Sequence, residues 1–406
     1  MPSRSRRIRA AGQLISCRPA ASIVVLGLMG GLVAGCGGSS TDAADRAAGT
    51  PARREPKGFD PQLAARLQET LERVSAHQGM PGAAAAVVMP GAGVWTGTTG
   101  YADPRTKRKV TDRTQFAVAS VTKPFVAALL LRLAERDVLD LDDHLSRWVP
   151  GFPHSRQITI RQLLNHTAGT ADFGANPALS KAFERDPAAV WTPQRTLRYG
   201  RESRWKPGET WKYSSTGYIL AGLVIERATH SSAARQLHRR LFEGRFPRIA
   251  LQGDERPRGP VAVGHQNLDD DPALETAPDH PFIPTTGDAT LTWTAGGMAA
   301  SAGDLARAAD GVLRGRLLSD ASRREMTRFT PTFVRFMPEY GLGLARVELG
   351  GEEVWAHSGD TFGFHADLAH LPDRQITVLA LNNLQQNRPG QDSLIDALVS
   401  DIGAAD

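Results

Sequence analysis

The chain has 406 residues, with 48 lysines and arginines against 43 aspartates and glutamates, and two cysteines. The net charge of +5 equals the five arginines of residues 1–19, which hold no acid, so the rest is close to neutral and gives no support to a nucleic-acid or acidic partner. Cys17 and Cys36 both lie near the N-terminus, which excludes a disulfide framework for the folded part, while the length allows a large core.

The N-terminus has the pattern of a secretory signal. Its basic segment is followed by residues 20–34, which are apolar or small and too few to span a bilayer comfortably. The sequence then reads Leu32-Val-Ala-Gly35-Cys36, which resembles a bacterial lipobox. We predict a lipoprotein signal peptide over residues 1–35, with a lipid on Cys36 that anchors the exported protein to the outer face of the cytoplasmic membrane. Ordinary secretion with a spare cysteine is the alternative, and the export route stays open.

A linker and the start of a folded domain follow. Residues 36–58 are rich in small residues without periodicity, which predicts a flexible linker before a domain over residues 59–406. An amphipathic helix is predicted after Pro61, with its apolar face formed by Leu63, Leu67, Leu71 and Val74. The apolar run Ala83–Met89, a turn, and Val94–Tyr101 predict a β-hairpin.

The remaining pattern separates a helical block from a group of strands. Short helices broken by Pro and Gly are predicted at Ile160–Leu164, Thr216–Ala228 and Ala233–Phe242, then a long surface loop over residues 251–290, and a helix after Ser301-Ala-Gly-Asp304, a start similar to a capping box. Strands are predicted at Leu342–Leu349, Glu353–His357, Phe364–Leu371 and Gln375–Asn382, before a helix at Asp392–Asp401. Strands at both ends predict an α+β fold, in which one antiparallel sheet is flanked by helices and receives a mainly helical insertion over about residues 138–290.

The stretch from Phe116 to Ala134 predicts a buried helix that begins near Ser120. Ser120 and Lys123 are three residues apart, so a helical turn places both side chains on one face. A hydroxyl beside an amine at the positive end of a helix indicates an activated nucleophile, and an arginine at 123 could not act as its base. The alternative is an N-terminal serine beside a solvated lysine.

Two further stretches carry candidate chemistry. Residues 205–218 place Tyr213 and two serines on a turn that leads into a helix. Residues 356–363 are predicted where one strand ends and the next begins, with glycines that allow a ligand to approach the backbone closely. The simpler alternatives are a surface tyrosine with an N-cap serine, and an ordinary glycine turn with an exposed histidine.

Together and in this order, these stretches resemble the serine β-lactamase/penicillin-binding protein superfamily, most of all the branch of class C β-lactamases and D-alanyl-D-alanine carboxypeptidases (peptidase family S12-like), which also includes esterases. The resemblance covers about residues 60 to 403. It rests on the following motifs: Ser120-Val-Thr-Lys123, Leu163-Leu-Asn-His166-Thr-Ala-Gly169, Pro207-Gly-Glu209, Tyr213-Ser-Ser215, residues 296–305, Tyr340-Gly-Leu-Gly343 and His357-Ser-Gly359.

The resemblance implies a role for each site residue. Ser120 attacks a carbonyl and forms an acyl-enzyme, while Lys123 and Tyr213 remove its proton and later serve the leaving group and the water. The backbone amides of Ser120 and Asp360 form the oxyanion hole. The strand edge where a substrate lies, and where its carboxylate is held, is formed by His357, Ser358 and Gly359. His166 and Glu209 are expected to order their loops.

Two departures from the family pattern affect the expected substrate. Ser215 replaces the usual Asn, which holds an acylamide, and this loss favours esters or an unusual amide. His357 replaces the usual Lys, and a neutral imidazole holds a carboxylate less firmly, so efficient β-lactamase activity is not expected.

The sequence therefore predicts an exported serine hydrolase, similar to D-alanyl-D-alanine carboxypeptidases, that acts on peptidoglycan peptides. An esterase for small acyl esters is one alternative, and a penicillin- or peptide-binding protein without turnover is the alternative from another class. We expect no cofactor, no metal, no nucleic-acid partner and a monomer, with a small molecule or a peptidoglycan peptide as the substrate.

Overall fold

The computed structural model describes residues 58–404 apart from 204, 243, 268–274, 277–285 and 387–392. The predicted signal peptide, Cys36 and the linker up to residue 57 lie outside the described residues, so lipidation and export stay predictions. No helix within the described ranges is both long and apolar enough to cross a membrane.

The described residues form helices and strands in an interleaved order. The α-helices are α1 Pro61–His77, α2 Thr122–Ala134, α3 Ile160–Leu164, α4 Pro177–Arg185, α5 Pro193–Leu197, α6 Ser215–Thr229, α7 Ala233–Leu237, α8 Thr286–Gly296, α9 Ala302–Leu313, α10 Asp320–Met326 and α11 Leu394–Gly403. The strands are β1 Gly82–Met89, β2 Gly93–Asp103, β3 Arg108–Lys109, β4 Phe116–Ala117, β5 Ile249–Leu251, β6 His265–Asn267, β7 Glu275–Thr276, β8 Met298–Ala300, β9 Thr330–Val334, β10 Met337–Tyr340, β11 Ala345–Leu349, β12 Glu352–Thr361, β13 Phe364–Leu371, β14 Ile376–Asn382 and β15 Leu384–Gln386.

Strands from both ends of the chain meet in one nine-stranded sheet, with the order β3-β2-β1-β14-β13-β12-β11-β10-β9. The first strand of the domain pairs antiparallel with β14, for example at Ala85 opposite Ala380. The predicted α+β fold with a large antiparallel sheet is therefore confirmed. Two small sheets, β15-β6-β7 and β4-β8-β5, lie beside it.

The large sheet lies between two layers of helices. On β1, Ala83, Ala85 and Val87 belong to the core cluster formed with α1 and α11, whereas the alternate residues face the larger cluster that contains α2 and α9. Successive side chains of a strand point to opposite faces of the sheet. A strand that is covered by helices on both faces therefore needs apolar residues at every position, as in the apolar run of the sequence. The spacing of Leu67 and Leu71 predicted the buried face of α1 for the same reason, and both side chains are fully buried.

Two predictions about strands and loops were wrong. His357 to Gly359 lie inside β12 rather than between strands, because β13 pairs with β12 as far as Thr361 opposite Phe364. The predicted loop over residues 251–290 includes β6, and α8 already begins at Thr286.

The predicted capping box at the start of α9 is also absent. Ser301 is the N-cap residue, but its side chain makes no capping hydrogen bond. The carboxylate of Asp304 instead accepts a hydrogen bond from the Arg248 amide at 2.9 Å and forms an ion pair with Arg307. The Arg248 amide, from another part of the fold, therefore binds the Asp304 carboxylate that the sequence had assigned to the end of the helix.

Candidate active site

The candidate nucleophile lies at a sharp turn between β4 and α2. Residues Ala119–Val121 form a single 3₁₀ turn, and Ser120 is half-buried within it. Ala119 has a positive φ of 45°, in a region that non-glycine residues rarely adopt at a cost of about 1–3 kcal/mol. The helix α2 that follows is buried along most of its length. This rigid packing fixes the position of the Ser120 hydroxyl.

Lys123 lies one turn after Ser120, and its side chain is completely buried. Its Nζ donates hydrogen bonds to Ser120 Oγ at 2.8 Å and to the Ala295 carbonyl, at the end of α8, at 2.7 Å. Burial lowers the pKa of Lys123 to about 7, against an opposing effect of the Asp172 carboxylate. An amine with this pKa is partly neutral at physiological pH and can accept the serine proton.

Tyr213 reaches the same serine oxygen from the loop before α6. Its hydroxyl donates to Ser120 Oγ at 2.9 Å. Burial raises the pKa of Tyr213, although the hydrogen bond with Ser120 acts in the opposite direction. The phenol therefore stays protonated near neutral pH. Of the two groups on Ser120, Lys123 is the one suited to accept the proton, while Tyr213 is suited to donate one.

His166 packs against the loop that carries Tyr213, whereas the sequence predicted only that it orders its own loop. Its buried ring lies 4.3 Å from the Tyr213 ring, between centroids, and its Nδ1 accepts the Ser214 amide at 3.2 Å. Burial holds the pKa of His166 well below its ordinary value. Glu209 similarly accepts the Lys206 amide at 2.8 Å within the preceding turn. Both residues support Tyr213 through the backbone.

His357 is not placed as the sequence predicted. The side chain is buried, with Nδ1 2.7 Å from the Ser358 carbonyl oxygen and Nε2 3.0 Å from the Tyr340 hydroxyl. A carbonyl only accepts, so Nδ1 carries the proton and Nε2 accepts from Tyr340. Burial, together with the neighbouring Lys123, lowers the pKa of His357 to about 3. A neutral imidazole with both nitrogens engaged has no free donor to hold a substrate carboxylate.

Ser358 is exposed on the opposite face of β12, beside a cluster formed by Asp360, His365 and Asp367. Its hydroxyl donates to Asp367, which also contacts His365 Nε2 at 2.8 Å. His365 Nδ1 contacts Asp360 at 2.6 Å on the other side. Despite burial, the two carboxylates raise the pKa of His365 well above its ordinary value. Two carboxylates flank one imidazolium, so this cluster on the opposite face of β12 is net negative.

Gly359 lets β12 approach the nucleophile turn closely. A Cβ atom at this position would lie 2.5 Å from the Val118 oxygen and 2.7 Å from the Ser120 amide nitrogen. Beyond Ala356 the described β11 no longer pairs with β12, so this part of the strand presents an edge to the cleft. The predicted oxyanion donors, the amides of Ser120 and Asp360, therefore come from this junction.

We expect Gly359→Ala to lower kcat/KM at least about 100-fold, because the added methyl group must displace the strand from the Ser120 amide. Gly151→Ala is the matched control, since a Cβ atom there meets nothing within 4 Å. Steady-state kinetics with any turned-over acyl substrate, together with thermal unfolding of both variants, provides the measurement. A Gly359→Ala enzyme with the wild-type kcat/KM would contradict this account of the junction.

Sequence reasoning missed Asp172, which lies beside Ser215. The Ser215 amide donates to the Asp172 carboxylate, which also accepts the Gly174 amide at 3.2 Å. Burial raises the pKa of Asp172, although these amides and Lys123 act in the opposite direction. The only local signal was an aspartate before Phe173-Gly174, which is typical of a cap, so nothing in the sequence placed it near Lys123.

Comparisons with known proteins match this chain to a family and to several named relatives. The beta-lactamase family model matches residues 67–400. The D-aminopeptidase of Brucella anthropi is 26% identical over 323 residues, 79% of this chain and 59% of that protein. Penicillin-binding protein 4* of Bacillus subtilis is 36% identical over 148 residues, 35% of this chain and 32% of that protein.

A solved structure, a D-stereospecific amidohydrolase from a Streptomyces species, is 28% identical with a TM-score of 0.68 and covers 79% of this chain and 94% of its own. The matches to the two curated relatives span only about a third and three fifths of those proteins. The matched residues include the turn of Ser120, the loop of Tyr213 and most of the large sheet. The chain belongs to the beta-lactamase family, within the serine hydrolase superfamily that includes proteins named penicillin-binding protein and D-aminopeptidase.

Proposed function

We propose that the protein is a serine amidohydrolase that forms an acyl-enzyme at Ser120 and acts on amides and short peptides of D-amino acids. One observation carries the hydrolase part of this proposal: Lys123 Nζ and Tyr213 OH both lie within hydrogen-bond distance of Ser120 Oγ, at 2.8 and 2.9 Å. Ser120 Oγ attacks the carbonyl carbon and its proton passes to the neutral amine of Lys123. The leaving amine takes a proton as the C–N bond breaks, and a water then hydrolyses the acyl-enzyme.

The engaged side chains of His357 and Ser358 support amides over peptides with a free C-terminal carboxylate. In the family pattern the strand of His357 and Ser358 holds that carboxylate. Here His357 is neutral and buried, and the hydroxyl of Ser358 already donates to Asp367. A carboxylate at this edge would therefore find no free donor on either side chain. The relatives named D-aminopeptidase and D-stereospecific amidohydrolase support the same substrate class.

An esterase is the second candidate, and Ser215 is the residue that favours it. In the family pattern an Asn side chain at this position binds the acylamide of the substrate, and Ser215 offers only a shorter hydroxyl. The backbone N–H of Ser215 is already bonded to the Asp172 carboxylate. Esters need less assistance for the leaving group than amides do, so a site with this loss retains esterolysis more readily than amidolysis.

A panel of substrates tests these candidates with the purified full-length protein. The panel consists of D-alanine 4-nitroanilide, L-alanine 4-nitroanilide, diacetyl-L-lysyl-D-alanyl-D-alanine and 4-nitrophenyl acetate, each also tested with Ser120→Ala. We expect the D-anilide to be hydrolysed with the highest kcat/KM among the amide substrates and the Ser120→Ala enzyme to be inactive. Release of D-alanine from the tripeptide alone would instead establish a carboxypeptidase. Hydrolysis of the nitrophenyl ester alone would establish an esterase, and a Ser120 adduct with benzylpenicillin without turnover of any substrate would establish a binding protein.

A further inference from the structure

Asp172 lies on a segment beside the loop of Tyr213, and its carboxylate interacts with Lys123. Its segment is tied to the loop of Tyr213 by three hydrogen bonds: Thr170 Oγ1 to Ser214 Oγ at 2.9 Å, Ser214 Oγ to the Ala171 carbonyl at 3.3 Å, and the Phe173 amide to Thr216 Oγ1 at 3.0 Å. These contacts on both sides hold Asp172 opposite Ser215. Asp172 is half-buried, and its carboxylate interacts electrostatically with Lys123 and Tyr213.

None of the ion pairs found within the described residues includes Asp172. The negative charge of Asp172 stabilises the Lys123 ammonium, so it acts against the low pKa that Lys123 needs to serve as a base. A poorly solvated carboxylate that works against the base beside it is costly, and a cation supplied by the substrate offsets that cost.

We propose that Asp172 binds the free α-ammonium group of the substrate, which makes the protein selective for amino-acid amides and peptides with an unblocked N-terminus. This inference rests on the proposed function, because it places the acyl part of the substrate between Ser120 and Asp172. The charge of the ammonium group then holds the acyl part of the substrate, which compensates for the Asn side chain that Ser215 replaces.

A simpler role for Asp172 is to cap the 3₁₀ turn Phe173–Ala175, since its side chain accepts the Gly174 amide. Asn caps a helical turn about as well as Asp, so Asp172→Asn retains the cap and removes only the charge. Asp60→Asn is the matched control, because Asp60 is an exposed N-cap residue at α1, far along the chain from the site.

The experiment compares D-alanine 4-nitroanilide with its N-acetyl derivative in the wild-type, Asp172→Asn and Asp60→Asn proteins. We expect the wild-type kcat/KM to favour the free amine, and Asp172→Asn to reduce that preference about 10- to 100-fold, the usual effect of losing a hydrogen bond to a charged group. The Asp60→Asn protein should keep the wild-type preference. If Asp172 only positions Lys123 or caps its turn, the variant changes both substrates by the same factor, and the proposal is wrong.

The pH profile gives an independent readout. The titratable groups that face Asp172 are Lys123 and Tyr213, and Lys123 is faced in turn by His166 and His357, which burial keeps neutral. For the free amine, kcat/KM should rise as Lys123 loses its proton near pH 7 and fall above about pH 8, where an α-ammonium group titrates. The N-acetyl substrate has no ammonium, so its profile should rise without the second limb. Identical profiles for the two substrates would overturn the proposal.

Labelling of Ser120 separates this inference from the proposed function. Intact mass measured after incubation with 4-nitrophenyl acetate reports an acyl-enzyme whether or not an ammonium group is recognised. An acylated Ser120 together with equal kcat/KM for the two anilides overturns only the role of Asp172. A protein that shows no acylation and hydrolyses neither anilide overturns the proposed function and this inference together.

Discussion

Ser120→Ala should abolish turnover of every acyl substrate, with kcat falling by about 10⁴-fold or more. The hydroxyl oxygen is the atom on which Lys123 Nζ and Tyr213 OH converge, so its removal leaves both groups without an atom to activate. Intact mass after incubation with 4-nitrophenyl acetate should show an acyl adduct on the wild type and none on the variant. Alanine is compatible with the first turn of a helix, so the fold should be retained.

The control for this variant is Ser400→Ala, which removes an exposed hydroxyl near the end of α11. It should be acylated and turn over substrate like the wild type. Measuring the unfolding temperature of both variants separates lost chemistry from lost structure. An acyl adduct that persists in Ser120→Ala would show that another residue is the nucleophile, and the assignment of the site would be wrong.

Lys123→Arg should lower kcat/KM by about 10²- to 10⁴-fold, the range expected for loss of a general base. The wild-type lysine is neutral above a pKa of about 7 and protonated below it, so kcat/KM should rise with pH through about 7. A guanidinium stays protonated throughout this range and cannot accept the serine proton. The variant should therefore lose both the rate and the rising limb of the pH profile.

Because Lys123 is fully buried, arginine can disturb the packing as well as the chemistry. Lys123→Met fits the same space without a charge and should show the same loss of rate and of the limb near pH 7. Lys181→Arg is the matched control at an exposed position on α4 and should retain the wild-type profile. A rising limb near pH 7 that survives in Lys123→Met would assign that titration to another group.

Much of the fold followed from local patterns. The spacing of Leu63 to Val74 predicted the buried face of α1, and apolar runs predicted β1, β13 and β14 with bounds close to those observed. Strands at both ends of the chain predicted a single antiparallel sheet, because their unpaired edges have to meet. The errors occurred where a tertiary partner replaced the local signal, as at Ser301 and in the extended β12.

The sequence by itself determined the pair Ser120 and Lys123, because helical geometry places residues three apart on one face whatever surrounds them. Only the tertiary structure decided which distant groups join that pair. Tyr213 reaches Ser120 Oγ across 93 residues of chain, and the Ala295 carbonyl reaches Lys123 across 172. Burial then set the protonation of Lys123 and kept His357 neutral, with both of its ring nitrogens engaged. Local spacing follows from the fixed rise of the backbone, whereas solvation and charge depend on every element packed around a residue.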